Sequence, residues 1–320
     1  MSSFNNDINI GEVSPDLSPE DISTGFFYKF ALMILIIIFV VFSVKFSIQL
    51  ILYLMSPSNS PIIIDGRIDG TESRTFTQNP GLSKSKTIQR SKNEKGGLEF
   101  TWSTWLYIKE SSIDSINPAV EYKHIFSKGD NDINIDEVRQ DSSPGAENMN
   151  TGMIWPNASP GLYLRATPTP TSTTSTDGGG NQVELKVAMT TFGGDRVSTA
   201  DGETNMLPIV ETIDIDNIPL NKWINIIIRV KGLIVDIYIN GIIVKRHILQ
   251  STPKQNYGDI HTALNGGFNG YISYLRYFDY AIEVGKISSI IDKGPSLKTL
   301  SNQSNNKNRS YMSSRWYFNY

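Results

Sequence analysis

Cysteine is absent from this chain of 320 residues, and histidine occurs only three times, as His124, His247 and His261. The absence of cysteine excludes disulfide bonds, thiolate metal sites and cysteine nucleophiles, and it leaves the redox compartment undetermined. The three histidines are far apart in the sequence and form no HxxxH or HExxH pair. The pattern therefore disfavours a zinc enzyme.

A positive excess of charge is also missing, since the formal net charge is -3. Proteins that bind nucleic acid usually carry a basic excess, so we expect no nucleic-acid partner. The sequence also has no phosphate-binding glycine loop, no dinucleotide fingerprint and no Ser-His-Asp pattern. The common signatures of nucleotide-binding and acyl-transfer enzymes are therefore absent.

A long apolar run occupies residues 26–55, FFYKFALMILIIIFVVFSVKFSIQLILYLM. As a helix it would span about 45 Å, whereas a bilayer core requires about 20 residues. The run is too long for a signal peptide and has no basic segment before it, so we predict a single transmembrane helix. Lys29 and Lys45 would lie about 24 Å apart, within reach of opposite headgroup layers. A functional intramembrane charge at Lys45 is the alternative.

The charges that flank the apolar run give conflicting indications of orientation. Residues 1–25 are acidic and contain no Lys or Arg, while Arg67 and Arg74 follow the run. This asymmetry favours a cytoplasmic C-terminal side, and Lys29 argues against it. A large folded domain after a single anchor is more often exported, so we expect the N-terminus inside and the C-terminal domain outside.

Composition divides the chain into five segments, of which the apolar run is the second. Residues 1–25 have the composition of a disordered acidic tail, and residues 56–96 that of a polar stalk or linker. The basic half of the stalk, residues 84–95, is either a solvated linker or a contact to acidic lipid or nucleic acid. In residues 97–292, short apolar segments alternate with Gly, Pro, Asn and Asp, which indicates an all-β domain. Residues 293–320 are Ser- and Asn-rich and are expected to be a disordered tail.

The stretch VDIYINGIIVKR, residues 235–246, interrupts a strongly apolar region with an Asn-Gly pair. Asn-Gly between two β-branched runs is the strongest short hairpin signal, because both residues accept the positive φ of a type I′ turn. The preceding run, WINIIIRV, alternates in the same way and ends at a Lys-Gly turn. The three runs therefore predict an antiparallel meander with one face in a core.

This meander and the segment GGFNGYISYLRYFDYAIEVGKISSII that follows it resemble a known family. They look like the second half of a concanavalin A-like lectin/glucanase domain of the laminin-G-like kind, with the opening strands matched more loosely. The resemblance implies a jelly-roll antiparallel β-sandwich over residues 97–292. The residues that carry it are Trp223, Tyr238, Asn240, Gly241, Phe268, Gly270 and Ile272.

The resemblance is specific for the fold and nearly silent about activity, because such domains serve as glycan binders, adhesion modules and glycosidase bodies. An Ile- and Asn-rich, cysteine-free domain behind a membrane anchor also looks like a product of a large DNA virus, or of AT-rich protists or bacteria. In a virion, the domain would lie between an internal membrane and the shell.

Calcium is the one cofactor that the sequence suggests, because domains of this family often bind Ca²⁺ through loops at the rim. The loop DNDINID places oxygen-bearing side chains at alternate positions, and a hard cation prefers six to eight oxygen ligands. The loop is not an EF-hand, since Ile135 stands where glycine is required. A solvated acidic loop is the alternative. The candidate ligands are Asp130, Asp132, Asn134 and Asp136.

Glycoside hydrolysis is a second possibility that the family raises. Retaining glucanases on this fold use a Glu-x-Asp-x-x-Glu pattern, which places carboxylates about 5 Å apart on one face of a strand. The segment ETIDID, with Glu211, Asp214 and Asp216, comes closest, but its spacing is wrong. The sequence therefore favours a protein that is not an enzyme.

Glycan binding without catalysis requires exposed aromatic rings. In LEFTWSTWLYI, period-two alternation assigns Leu98 and Trp102 to the core face, so Trp105 and Tyr107 lie on the opposite face. Trp155 lies in a long loop. Trp105, Tyr107 and Trp155 are thus the candidate ligand-binding residues, and burial against covering segments is the alternative for each.

Together these patterns favour a single-pass membrane protein for recognition or adhesion, with the lipid bilayer and a glycan or protein ligand as partners. Two alternatives stay open. One is a structural protein of a virion or envelope membrane whose sandwich packs against partner proteins. The other is a glycoside hydrolase on the same fold.

Overall fold

The computed structural model describes most of the chain and divides it into two compact units, Met1–Ser56 and Pro57–Tyr320. The described residues are 19–55, 58–82, 84–91, 93–94, 97–114, 122–133, 151–167, 182–193, 196–198, 204–206 and 209–300. The predicted acidic tail before residue 19 and the C-terminal segment 301–320 lie outside them.

The first unit contains one long helix, α1, Pro19–Met55. Within it, Gly25–Leu54 is an apolar segment of 30 residues with mean hydropathy 2.7, none of it buried by other parts of the protein. Its length and composition suffice to cross a membrane. A membrane anchor and a signal sequence both have this character.

The second unit is mainly β-structure. Among its described residues, the helical elements are α2, Ser111–Asp114, a short 3-10 helix, Leu264–Gly266, and α3, Val284–Lys293. The strands among the same residues are β1 Arg67–Asp69, β2 Arg74–Phe76, β3 Asn93–Glu94, β4 Gly97–Ile108, β5 Lys123–Gly129, β6 Ala158–Thr167, β7 Gln182–Thr191, β8 Arg196–Ser198, β9 Thr204–Met206, β10 Ile209–Ile215, β11 Trp223–Lys231, β12 Ile234–Ile239, β13 Ile242–Ile248, β14 Asp259–Thr262 and β15 Gly270–Phe278.

Two antiparallel sheets form a sandwich, so the predicted all-β sandwich after an N-terminal apolar helix is confirmed. The seven-stranded sheet has the order β1-β15-β4-β11-β12-β13, with β3 paired to β4. The six-stranded sheet has the order β10-β7-β6-β5-β14-β2. A separate pair joins β8 and β9.

The core lies between the inner faces of the two sheets, as period-two alternation requires. From the seven-stranded sheet, Trp102 packs against Phe126 and Tyr277, with ring centroids 5.6 and 5.1 Å away. Each large apolar side chain removed from water in this way contributes about 1.5–3 kcal/mol. Other buried members of this cluster include Phe100, Leu106, Ile108, Leu162, Leu185, Val187, Ile224, Ile226, Ile228, Val235 and Ile237.

The Asn-Gly hairpin lies between β12 and β13. Asn240 and Gly241 have φ angles of 49° and 84°, which is the left-handed region that a type I′ turn requires. The Asn240 side-chain oxygen also accepts the backbone N–H of Asn225 at 2.8 Å. The turn is therefore fastened to β11 as well as to its own two strands.

Four more residues of the family-like pattern lie where they support the fold, either buried in apolar clusters or at a close approach of two strands. Phe268 and Ile272 are buried in the core, and Tyr238 is buried on the outer face in a cluster with Ile287 of α3. Gly270 begins β15, and a Cβ there would lie 2.0 Å from the backbone oxygen of Tyr107. A larger residue at position 270 would therefore force β15 away from β4.

The structure places part of the predicted stalk and tail inside the sandwich. Ile63 and Ile64 are buried, β1 pairs with β15, and β2 pairs with β14. At the other end of the chain, Leu300 donates its N–H to the carbonyl of Arg67 and packs against the core. These segments complete sheet edges, and their short strands are too brief to show a period in the sequence.

Candidate functional site

Three aromatic residues meet on the outer face of the seven-stranded sheet. Tyr107 of β4 lies directly opposite Trp223 of β11 on one side and Tyr271 of β15 on the other. The apolar residues next to them in the chain lie in the core, so alternation directs the three rings outward. We refer to Tyr107, Trp223 and Tyr271 as the aromatic triad.

The triad is a close cluster that remains partly exposed. Ring centroids are 5.5 Å apart for Tyr107 and Trp223, and 6.0 Å apart for Tyr107 and Tyr271. Trp223 and Tyr271 are 6.4 Å apart and close to parallel, with an interplanar angle of 26°. These distances are typical of attractive aromatic pairs, which hold the rings in fixed positions.

Two cations flank the triad at Tyr271. The guanidinium carbon of Arg67 lies 4.5 Å from the ring centroid, and the Lys109 ammonium lies 4.8 Å from it. Within the described residues, neither cation forms an ion pair with a carboxylate, and Arg67 donates to the hydroxyl of Thr299 at 3.1 Å. Both retain donor capacity for an acceptor on a ligand.

Asp69 supplies a negative charge beside the triad, since it lies opposite Tyr271 across β1 and β15. Burial by itself would raise the pKa of Asp69, but hydrogen bonds from the Thr71 hydroxyl and N–H, together with Lys109 and Arg67, lower it below its ordinary value. Asp69 is therefore an ionised carboxylate whose oxygen Oδ1 already accepts two hydrogen bonds.

The triad and its cations combine the features that a small-ligand site requires. Partly exposed ring faces provide apolar contact area, and nearby charged groups provide orientation through hydrogen bonds. Arg67 and Lys109 are donors, while Asp69 is an acceptor. The arrangement suits a ligand with an apolar face and several oxygen atoms.

The aromatic residues expected from the sequence do not all meet here. Tyr107 belongs to the triad, but Trp105 is only 7% exposed and lies beneath the C-terminal end of α3, beside Lys293 and Gly294. Trp155 is partly buried and packs against a cluster on the six-stranded sheet that includes Met153. In the structure, Trp105 is therefore covered by another element, which is the alternative to ligand binding at this residue.

The calcium loop is described only in part, since Asn134 and Asp136 lie outside the described residues. Asp130 accepts a hydrogen bond from the Asn157 amide at 2.9 Å, and the carbonyl of Asp132 accepts the N–H of Trp155 at 3.1 Å. The described part of the chain holds no cluster of three or more His, Asp or Glu side chains that could bind a metal ion. A calcium site there stays a prediction.

The carboxylates of ETIDID lie on different faces of β10. Glu211 is buried, accepts the N–H of Gln250 and lies 3.3 Å from Nε2 of His247. Asp214 points to the outer face, where it pairs with Lys186 at 3.1 Å. Sequence reasoning missed Glu184, whose pKa is raised by burial and by Asp214 beside it. The segment does not form the one-sided carboxylate row of a retaining glucanase.

A cavity of about 250 Å³ opens between β5 and the loop that contains the 3-10 helix. His124 lines it, and its Nδ1 accepts the N–H of Leu264 at 3.1 Å. Burial, with a smaller effect of His261, lowers the pKa of His124 to about 3, so the ring is neutral. Its Nε2 is enclosed and has no hydrogen-bond partner among the described residues.

Most of the triad and its surroundings escaped sequence reasoning. The sequence gives Trp223 a role in the fold and Arg67 a role only in membrane orientation, and it does not single out Tyr271 or Lys109. Alternation marks Trp223 and Tyr271 as outward-facing once their strands are known. Nothing in the sequence gives the cross-strand register that brings them beside Tyr107.

No protein-family model and no curated protein sequence matches this chain. Solved structures do match it, among them the botulinum neurotoxin serotype G binding domain, at 12% identity and a TM-score of 0.36 over 71% of this chain and 46% of that one. The receptor-binding domain of botulinum neurotoxin mosaic serotype C/D matches at 10% identity and a TM-score of 0.35, over 61% and 36% of the two chains.

A third match is the botulinum neurotoxin type G receptor binding domain, at 14% identity and a TM-score of 0.35, over 71% of this chain and 46% of that one. The chain thus spans half or less of the length of these neighbours. Likenesses this distant do not extend to any site.

Proposed function

We propose that the chain is a single-pass membrane protein whose β-sandwich recognises a glycan through the aromatic triad. The observation that carries the proposal is the convergence of Tyr107, Trp223 and Tyr271 from three strands onto one partly exposed patch. Sugars present apolar C–H faces that stack on such rings, and their hydroxyl groups pair with charged donors such as Arg67 and Lys109.

The membrane anchor in this proposal is α1. Its apolar segment of 30 residues exceeds the about 20 residues that cross a bilayer core. Because these residues are not buried by protein, a lipid environment is the physical setting in which their exposure costs least. The sandwich would lie on the outer side of the membrane, or between membrane and shell in a virion.

A glycan-array screen of the full chain in detergent micelles tests the proposal, first with calcium and then with chelator. We expect selective binding by the wild type and a loss of at least about tenfold in Trp223→Ala and in Tyr271→Ala, since truncation of a residue that anchors a ligand typically costs about 2 kcal/mol or more. Loss of glycan binding on addition of chelator would support a calcium site. Glycan binding that is unchanged by chelator would exclude a calcium site that takes part in it.

The matched control is Tyr257→Ala, because Tyr257 is 82% exposed and lies outside the triad. Binding should be unchanged in this variant. Circular dichroism must show that all variants fold. Folded wild-type protein that binds no glycan, or triad variants that bind as well as Tyr257→Ala, would contradict the proposal.

A second candidate function is structural packing between copies of the chain, and strand β13 favours it. This strand ends the seven-stranded sheet, and Ile242 and Ile248 are 70% and 68% exposed on it. An edge strand that exposes apolar side chains beside unpaired backbone groups invites another strand to pair with it. Two copies paired about Val244 would set Lys245 opposite Ile243, so no like charges would face each other.

Sedimentation of the full chain in detergent tests the packing role by itself. A dimer that Ile248→Lys converts to monomer would support the packing role, because a lysine on an edge strand opposes pairing. A monomer at all concentrations would remove it. Neither result depends on glycan binding.

A further inference from the structure

A small basic pocket lies between α3 and the outer face of the seven-stranded sheet. Its volume is about 40 Å³, and Trp105 forms part of its wall. Three cations line it, Arg276 from β15 and Lys286 and Lys293 from α3, together with the hydroxyl-bearing residues Ser103 and Ser289. We refer to it as the α3 pocket.

The fold assembles these cations by two local devices. A bulge in β15 inserts one extra residue between Ser273 and Arg276, which returns Arg276 to the outer face opposite Ser103. On α3, Lys286 and Lys293 are two helical turns apart, with Ser289 between them, so the three share one face. The bulge residue Tyr274 has a φ of 55°, a conformation that costs energy for a bulky side chain.

Two of the cations are held in position. Arg276 donates from Nε to the carbonyl of Ser60 at 3.1 Å and from Nη2 to its hydroxyl at 2.8 Å. The Lys293 ammonium donates to the hydroxyl of Tyr274 and lies 4.3 Å from the centroid of that ring. Because these contacts are with neutral groups, they orient the charges without neutralising them.

No carboxylate of the described residues lines the α3 pocket. Among the described acidic residues, Glu283 and Asp292 belong to or adjoin α3, but both are exposed and neither contributes to the lining. Three like charges around one small space repel each other, and an anion placed among them would relieve that repulsion. The pocket therefore has the charge, the donors and the size for a compact anionic group.

We propose that the α3 pocket binds a phosphate group. Lysine and arginine are the usual phosphate ligands, and serine hydroxyls add neutral hydrogen bonds to its oxygens. The group comes either from a lipid headgroup or from free phosphate. Ser60 accepts the hydrogen bonds of Arg276, and only residues 56–59 separate it in the sequence from Met55, where α1 ends. If α1 is an anchor, this short connection makes a lipid phosphate the expected source.

Calorimetric titration of the full chain in detergent micelles tests the proposal with three probes. The probes are inorganic phosphate, phosphatidic acid added to the micelles, and diacylglycerol, which is the same lipid without its phosphate. The variant is Lys286→Gln with Lys293→Gln, both at exposed positions. The matched control is Lys245→Gln, an exposed lysine on β13.

We expect phosphatidic acid to bind and diacylglycerol not to bind. The double variant should bind phosphatidic acid at least about tenfold more weakly, because it loses two charge-assisted hydrogen bonds to the phosphate. Binding of inorganic phosphate with the same sensitivity would identify a general phosphate site, whereas its absence would identify a lipid headgroup site. The proposal would be overturned if both lipids bound equally, or if neither phosphatidic acid nor inorganic phosphate bound. It would also be overturned if the double variant and Lys245→Gln lost the same amount of binding.

Discussion

Tyr107 of β4 and Trp223 of β11 face each other directly across two antiparallel strands, with ring centroids 5.5 Å apart. Trp105 lies two residues before Tyr107 on the same face of β4, yet it is almost fully covered by the end of α3. One face of one strand thus carries both a covered aromatic residue and a partly open one. The two residues are expected to respond differently to truncation.

Trp105→Ala should destabilise the sandwich by about 3–5 kcal/mol, because it leaves a cavity under α3. Tyr107→Ala should cost less, because its ring is only partly buried, and it should weaken glycan binding. Urea unfolding followed by circular dichroism measures the first effect, and the glycan array measures the second. A stable Trp105→Ala protein that has lost binding would contradict this assignment.

Gly241→Ala should destabilise the protein by about 1–2 kcal/mol, the cost of a left-handed conformation for a residue with a Cβ. The added Cβ would also lie 3.3 Å from Cγ1 of Ile291. The matched control is Gly285→Ala in α3, where a Cβ meets nothing within 4 Å. That control should raise stability by up to about 1 kcal/mol, because alanine favours helix. Urea midpoints of the two variants should move in opposite directions.

His124 should make the sandwich acid-sensitive. Its pKa falls from the ordinary 6.5 to about 3, chiefly because of burial, so between these values the unfolded chain binds the proton and the folded chain does not. The stabilising effect is complete above pH 6.5 and is lost as the pH falls towards 3, at up to about 1.4 kcal/mol per pH unit. Burial lowers the pKa of His261 too, so it adds in the same direction.

Melting temperatures measured from pH 7 to pH 3 check this expectation. His124→Gln should flatten part of the decline, whereas the control His247→Gln leaves His124 in place and should retain it. Identical pH profiles for wild type and His124→Gln would show that the buried ring does not take part.

Asp236 should be the most sensitive of the charged residues on the seven-stranded sheet. Its side chain is 1% exposed and pairs with Arg229 at 2.9 Å and Arg246 at 2.6 Å. Asp236→Ala leaves the largely buried Arg229 unpaired, which should cost about 3–5 kcal/mol. Arg246 is 58% exposed, so Arg246→Ala should cost much less than Asp236→Ala, because water screens this charge whether its partner is present or absent. Equal urea midpoints for the two variants would exclude this difference.

The apolar helix should behave as an anchor that is kept in the mature protein. After expression in cells, the chain should stay in the membrane pellet through alkaline carbonate extraction, and its mass should include residues 26–55. Ile37→Arg with Val40→Arg should release it, because each central arginine costs about 2.5–3.5 kcal/mol on insertion. A mass that lacks the apolar segment would show instead that the segment is a cleaved signal.

Local patterns predicted much of the fold, as the Asn240–Gly241 hairpin illustrates. Two residues that tolerate positive φ between β-branched runs leave few other structures for that stretch. The sequence assigns residues 56–96 to a stalk, with a strand at PIIIDGRI as an alternative, and residues 293–320 to a tail. In the structure, residues 62–76 and Leu300 contribute to the sandwich at its sheet edges. Residues 62–76 pair with β14 and β15, about 200 residues away in the chain, and Leu300 hydrogen-bonds to Arg67 over a similar separation. The local pattern of such short segments does not show which distant residues they will pair with.

The candidate site was predictable only in part. Period-two alternation placed Tyr107 on the outer face, and the structure agrees. Alternation also places Trp105 on the outer face and does not distinguish it from Tyr107. The sequence does not show that α3 covers Trp105 and leaves Tyr107 partly exposed. The α3 pocket depends further on a one-residue bulge in β15, which shifts Arg276 to the outer face and leaves no signature in the local pattern.

The sequence by itself determined the apolar helix, the all-β character of the rest, the hairpin at Asn240–Gly241 and the faces of the long strands. These features follow from hydrophobic periodicity and from the backbone preferences of single residues, which act over a few positions. The tertiary structure alone decided which outward-facing rings meet, which of them α3 covers and where the unpaired cations gather. Those outcomes depend on cross-strand register and helix packing, which arise from contacts between residues far apart in the chain.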